Sequence, residues 1–210
     1  NNTIQNFSSD VSISAGSGND TIFNYADAAH AIINAGTGNN YLRNMAGGVS
    51  IKSGSDADAI YNWGENVTIG AGSGGDTIYL QGGSAFIRYE NASGTDYVLG
   101  VKAGDTIGVA GDYQSLATNE GHAVISVNGG VMLLANAMNV AYTLTTIEAD
   151  TGEDTVPPEP TETDVITLTS GDDMYRNSDA SVTIYAGDGN DTLINTGKDV
   201  VIFAEGGNDT

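Results

Sequence analysis

Gly16-Ser17-Gly18-Asn19-Asp20-Thr21-Ile22, Gly72-Ser73-Gly74-Gly75-Asp76-Thr77-Ile78 and Gly187-Asp188-Gly189-Asn190-Asp191-Thr192-Leu193 are copies of one pattern. Further copies are Gly36-Thr37-Gly38-Asn39-Asn40 and Gly54-Ser55-Asp56-Ala57-Asp58, and a weaker one is Ala92-Ser93-Gly94-Thr95-Asp96. The last residue of each copy falls at 20, 40, 58, 76 and 96, so the steps are 20, 18, 18 and 20 residues. Asn2 fits as the tail of an earlier copy, and Asp173, Asp191 and Asp209 continue the series at steps of 18.

An apolar residue follows two places after each of these positions: Ile4, Ile22, Leu42, Ile60, Ile78, Val98, Tyr175 and Leu193. A V-x-I pair precedes most of the glycines, as in Val11/Ile13, Val49/Ile51, Val67/Ile69 and Val182/Ile184. Alternate residues of a strand share a face, so these side chains point one way. The unit reads strand, turn, strand, turn. One unit cannot bury its apolar face alone, but stacked units can. The expected fold is all-β: a parallel β-roll or β-solenoid stack with a β cap, a linker and the start of a second stack.

The expected boundaries are a β-roll over 1–98, a β capping segment over 99–150, a linker over 151–164 and a second, incomplete roll over 165–210. The capping stretch lacks the glycine pattern and contains two strand-like runs joined through Asn128-Gly129-Gly130, a hairpin signal. The linker, TGEDTVPPEPTETD, is acidic and holds all 3 prolines. Residues 1–24 align with 172–195 at an offset of 171, which suggests tandem modules. The two ends are in phase, so the stack is expected to continue past each end or to dock on another copy.

The chain has 27 Asp plus Glu against 6 Lys plus Arg, a formal charge of -21. Nucleic acid is a poor partner for such a surface. There is no cysteine, hence no disulfide and no thiolate site. Stacking places the aspartates of successive units side by side. Two unit charges about 5 Å apart repel by about 3 kcal/mol at an effective dielectric near 20. A divalent cation between turns reverses that sign. An all-oxygen donor set without Cys or His favours Ca²⁺. The competing arrangement is a metal-free solenoid held by Asx-turns and amide ladders.

The G-S-G-N-D-T-I, G-S-G-G-D-T-I and G-D-G-N-D-T-L stretches resemble the nonapeptide of the RTX (hemolysin-type calcium-binding) family. The resemblance covers about residues 1–98 and 165–210. It implies a parallel β-roll that binds Ca²⁺ between turns and folds after secretion. It implies as ligands the side chains of Asp20, Asp58, Asp76, Asp96, Asp173, Asp191 and Asp209, with carbonyls of Gly16, Gly18, Gly72, Gly74, Gly187 and Gly189. The chain departs from the family in repeating every 18 residues rather than nine, so one edge alone is expected to hold calcium. Asn40 stands for Asp, Asp56 for Gly, and Ala92 and Glu205 for the first Gly.

The expected role is non-enzymatic: a calcium-binding structural segment of a larger secreted or surface protein of bacterial type, such as an adhesin shaft, matrix or stalk. Alternatives are a self-assembling head-to-tail filament subunit and the non-catalytic tail of a secreted enzyme or toxin. His30 and His122 are far apart, and the acid pairs Asp56/Asp58 and Asp172/Asp173 lie in repeat turns, which suits calcium or solvent better than hydrolysis. Tyr25, Tyr61, Trp63 and Tyr79 could form an outward strip for a glycan, another cell-surface ligand or a neighbouring copy.

Overall fold

The structure is a computed structural model that describes residues 1–90, 94–117, 121–127, 130–137, 139–149 and 165–207. Ala92, the turn residues Asn128 and Gly129, the 151–164 linker and Asp209 lie outside the described residues.

The strands, in chain order, are β1 (Thr3–Asn6), β2 (Ser12–Ser14), β3 (Thr21–Asn24), β4 (Ile32–Asn34), β5 (Tyr41–Asn44), β6 (Ser50–Lys52) and β7 (Ala59–Asn62). Next come β8 (Val67–Gly70), β9 (Thr77–Leu80), β10 (Ala85–Tyr89), β11 (Thr95–Leu99) and β12 (Thr106–Ala110). The following stretch holds β13 (Tyr113–Ala117), β14 (Ala123–Val127), β15 (Gly130–Ala135) and β16 (Thr143–Ile147). The last five are β17 (Val165–Thr167), β18 (Met174–Asn177), β19 (Thr183–Tyr185), β20 (Thr192–Asn195) and β21 (Val201–Phe203).

From β1 to β12 the chain alternates between two facing sheets, one strand in each per coil. Every pairing along this run is parallel and in register: Ile4, Ile22, Leu42, Ile60 and Ile78 form one column, and Ile13, Ile33, Ile51 and Ile69 form the other. Together with the strands at either end, the result is a parallel β-solenoid of about 10 turns, with no helix among the described residues. The two columns meet in a narrow interior where these side chains are 0–2 % exposed. Burying each contributes about 1.5–3 kcal/mol. Because the period along a strand is two, Asp20 and Asn24 share the inward face with Ile22. All three are buried.

At one end the regular coil gives way to antiparallel pairing. Strand β13 pairs with β14 and β14 with β15, and β15 lies parallel to β11. On the other sheet β16 pairs with β12. These strands extend and cover the end of the stack, and Ile125, Met132 and Leu134 join its core.

Residues 165–207 do not stand apart as the opening coils of a separate stack. They continue the first stack at its other end: β20 pairs with β1 and β21 with β2, both parallel. Leu193 lies beside Ile4 and Ile202 beside Ile13, as neighbouring coils do elsewhere. The N-terminal amine of Asn1 donates to the Gly207 carbonyl at 2.5 Å. One coil is thus assembled from both ends of the chain.

Candidate functional site: two buried corners

Each coil has two corners, and a polar side chain turns inward at both. One corner carries Asn6, Asn24, Asn44 and Asn62, each at most 1 % exposed, with Asn177 and Asn195 in the C-terminal coils. Each amide nitrogen donates to the next amide oxygen: Asn6 to Asn24, Asn24 to Asn44 and Asn44 to Asn62, all at 2.8 Å, and likewise Asn177 to Asn195. The same nitrogens donate to turn carbonyls, such as Ala46 at 2.8 Å from Asn44. An amide both donates and accepts, so this file satisfies itself. It ends where Leu80 stands beside Asn62. This file was not among the expectations from sequence. Its signal was an Asn four residues after most positions of the Gly-rich repeat.

The other corner carries the repeat aspartates. Asp20, Asp58, Asp76, Asp96 and Asp191 are 0–3 % exposed, and Asp173, at the outer end, is half-buried. Their Oδ1 atoms repeat one contact. Asp20 accepts the N–H of Asn2 at 2.6 Å, Asn40 that of Asp20 at 2.9 Å, and Asp58 that of Asn40 at 2.8 Å. Asp76 accepts from Asp58, Asp96 from Asp76, and Asp191 from Asp173, at 2.8–2.9 Å.

The second oxygen distinguishes Asp from Asn. At Asn40 the side-chain nitrogen donates to the carbonyls of Gly38, at 2.9 Å, and Ser53, at 3.2 Å. Asn2 donates to Ala15 at 2.6 Å. At the aspartates an oxygen occupies that place, and an ionised carboxylate has nothing to donate. Oδ2 of Asp20, Asp58 and Asp76 is buried without a hydrogen-bond partner. A buried polar atom left unpaired costs about 1–3 kcal/mol, and a charged one more. Asp105 provides the contrast within the same fold. It is equally buried, yet its two oxygens accept from Ala85 and Lys102, each at 2.8 Å.

Burial is the main cause of a raised pKa at Asp20, Asp58 and Asp96, each pushed from 3.8 to about 6, and at Asp76, pushed to about 7. The accepted backbone N–H groups partly oppose that rise. Tyr89, 2 % exposed with an unpaired hydroxyl, faces the same corner. Burial, then the charges of Asp96 and Asp76, raise its pKa.

These shifts set a pH dependence. The folded carboxyls hold protons that the unfolded chain has released between about pH 4 and the folded values near 6 to 7. Stability of the ion-free protein therefore falls as pH rises through that window. Keeping one such carboxylate ionised at neutral pH costs about 3 kcal/mol. Calcium-free protein should melt at least about 10 °C higher at pH 4.5 than at pH 7.5. Thermal unfolding followed by circular dichroism checks this, and the opposite order would contradict the burial.

The oxygen-only lining fits a hard cation rather than zinc or copper. The carbonyls of Gly16 and Gly187 accept backbone N–H groups from Thr37 and Gly206, at 3.0 and 3.1 Å, so each has one lone pair left. Gly72 carries the same left-handed backbone, at φ +90°. The carbonyls of Gly18, Gly74 and Gly189 point along the stack at the α-carbons of Gly38, Gly94 and Gly207. Among the described residues no three acidic or histidine side chains converge on one point. A cation here would take one carboxylate oxygen and carbonyls from two coils, at the place where Asn40 puts its NH₂ group. That donor set fits calcium with its remaining positions filled by water or a neighbouring coil.

His30 lies 3.6 Å from Asp10, both exposed, and the His122 ring accepts the N–H of Asn136 at 2.9 Å. The aromatic side chains of the first sheet form a file along the stack. Phe7 stacks on Tyr25 at 4.3 Å and Tyr61 on Tyr79 at 4.4 Å, while Arg43 covers Trp63 at 5.1 Å. Phe23 meets Tyr41 edge-on, and Phe7, Tyr41 and Trp63 are exposed on the outer side of the stack.

The architecture and the two inward corners define the class: a parallel β-solenoid with an 18-residue coil, consistent with a β-roll repeat. No protein-family model, no curated protein and no solved structure matches the chain.

Proposed function

We propose that this chain is a calcium-stiffened structural segment of a larger secreted or cell-surface protein, a one-edged form of the RTX β-roll whose work is mechanical rather than catalytic. The observation that carries the reading is the row of buried Oδ2 atoms on Asp20, Asp58 and Asp76, each without a donor. Bound calcium would supply the positive charge that an asparagine NH₂ supplies at Asn2 and Asn40. The aspartates hold the file in register through Oδ1 and leave Oδ2 for the ion. Gly18, Gly74 and Gly189 would add carbonyls from the turn.

Coupling of this kind makes ion binding part of the folding free energy. Free calcium is scarce inside cells and abundant outside. A chain with this file would be weakly stable until exported and would then set into a stiff rod. The test is a calcium titration followed by far-ultraviolet circular dichroism at neutral pH. Strand signal should grow cooperatively with calcium, and magnesium should replace it poorly. Equal strand signal and equal melting in chelator and in calcium would overturn the reading.

A further inference from the structure

The tyrosines on the outer face of the first sheet are not arranged alike. Tyr41, Tyr61 and Tyr79 stand on β5, β7 and β9, with parity opposite to the buried Leu42, Ile60 and Ile78. Tyr79 is the register partner of Tyr61, and the two rings lie face to face at 4.4 Å and 7°. The register partner of Tyr41 on β7 is Ala59, so Tyr61 sits one strand across and two residues along from Tyr41. Those two rings lean toward each other over the diagonal, with centroids 5.2 Å apart and planes tilted by 38°. Among the described residues, tyrosine ring meets tyrosine ring at these two places.

The two geometries differ in what the rings can become. A phenol that loses one electron and one proton becomes a phenoxyl radical. Its unpaired spin is shared between the oxygen and the ring carbons ortho to it. Two such radicals join through ortho carbons, and the joined rings lie edge to edge, twisted about the new bond. Edge-to-edge rings need more width between their Cβ atoms than stacked rings do. Strands lie about 4.8 Å apart and rise about 3.3 Å per residue, so a directly opposed pair has about 4.8 Å between its α-carbons and a diagonal pair about 8 Å. The stacked Tyr61–Tyr79 pair lacks the width. The diagonal Tyr41–Tyr61 pair has it, and its tilt already leads toward the product. Partners held in contact also react far faster than partners that must meet by diffusion.

We propose that Tyr41 and Tyr61 form an oxidative cross-linking site, at which a carbon–carbon bond between the two rings ties the coil of β5 to the coil of β7. The oxidant is a peroxide acting through a haem peroxidase. The two phenols give up two electrons and two protons, and one peroxide takes them and leaves as two waters. After the rings join, the hydrogen on each joined carbon moves to its own oxygen and restores the phenol. The net change is two ring C–H bonds lost and one C–C bond gained. The chain has no cysteine, so no disulfide ties one coil to the next, and this bond supplies a covalent tie of another kind. Tyr41 is 36 % exposed, open to a dissolved oxidant, and Tyr61 is half-buried beside it. The site stands independently of the calcium reading.

The test treats the folded chain, dilute and in calcium, with hydrogen peroxide and a haem peroxidase. The product is then denatured and cut with trypsin. Tyr41 falls in the peptide that ends at Arg43, and Tyr61 and Tyr79 fall together in the peptide from Ser53 to Arg88. A Tyr41–Tyr61 bond therefore joins two peptides with the loss of two hydrogen atoms, whereas a Tyr61–Tyr79 bond stays inside one. The joined pair is expected in the mass spectrum, with dityrosine fluorescence and a chain of monomer size on a denaturing gel. Closing the loop from 41 to 61 should raise the melting temperature by about 5–10 °C. Tyr41→Phe should remove the joined pair and Tyr79→Phe should leave it, each variant being matched to the native strand signal by circular dichroism beforehand. Absence of the joined pair, a bond that maps to Tyr61–Tyr79, or an undiminished yield in Tyr41→Phe would overturn the proposal.

Discussion

Replacing Asp20, Asp58, Asp76 and Asp96 together by asparagine is expected to raise the melting temperature of the calcium-free protein and to abolish its response to calcium. The Oδ1 contact survives, since Asn40 already accepts the N–H of Asp20 in that way. The new NH₂ group takes the place of Oδ2 and donates to carbonyls, as Asn40 does to Gly38 and Ser53. Four buried charges disappear. Each costs about 3 kcal/mol at neutral pH, so together they rival the whole stability of a typical domain, about 5–15 kcal/mol. Relief of even half of this raises the melting temperature by about 10 °C or more. Calorimetry of the native chain and the variant, each in chelator and in calcium, checks it. A variant less stable than the native chain in chelator, or one that still gains stability with calcium, would contradict the account.

The second large effect is expected at Gly54. Its φ is +104°, and a Cβ there would lie 1.7 Å from the carbonyl oxygen of Gly36 in the adjacent coil. That atom is backbone, and Ser55 donates to it at 3.2 Å, so it cannot yield without parting the coils. Gly54→Ala should cost more than about 4 kcal/mol, the range kept for broken packing or backbone clashes. Gly121 separates strain from clash. Its φ is +83°, and a Cβ added there would meet nothing within 4 Å. Gly121→Ala should cost only the left-handed strain, about 1–2 kcal/mol. Thermal melts of the two variants read the difference directly, and equal losses would refute the close approach of the turns.

Much of the fold was legible because the coil repeats its chemistry. The apolar residue two places after each repeat position set the strand face, and the 18-residue step set the stacking. The inward course of the aspartates was legible in the same parity and passed unnoticed. Asp20, Ile22 and Asn24 alternate with exposed or half-buried neighbours, so burial of Ile22 entails burial of the other two. Aspartate and asparagine beside glycine read as turn residues, and that habit masked two interior files. The expected Gly16 and Gly187 ligands illustrate the opposite difficulty. Stacking brings their carbonyls within reach of the next coil's N–H groups, and a linear sequence does not show that competition. The docking of residues 165–207 onto β1 and β2 was foreshadowed by phase alone.

Calcium at the Oδ2 atoms of the buried aspartate file is the proposal on which the mechanical role rests. Anomalous diffraction from crystals grown in calcium examines it without an intermediary. Peaks are expected at intervals along that corner, beside Asp20, Asp58 and Asp76, and none along the asparagine corner. A map with no peak stronger than water at those carboxylates would contradict it.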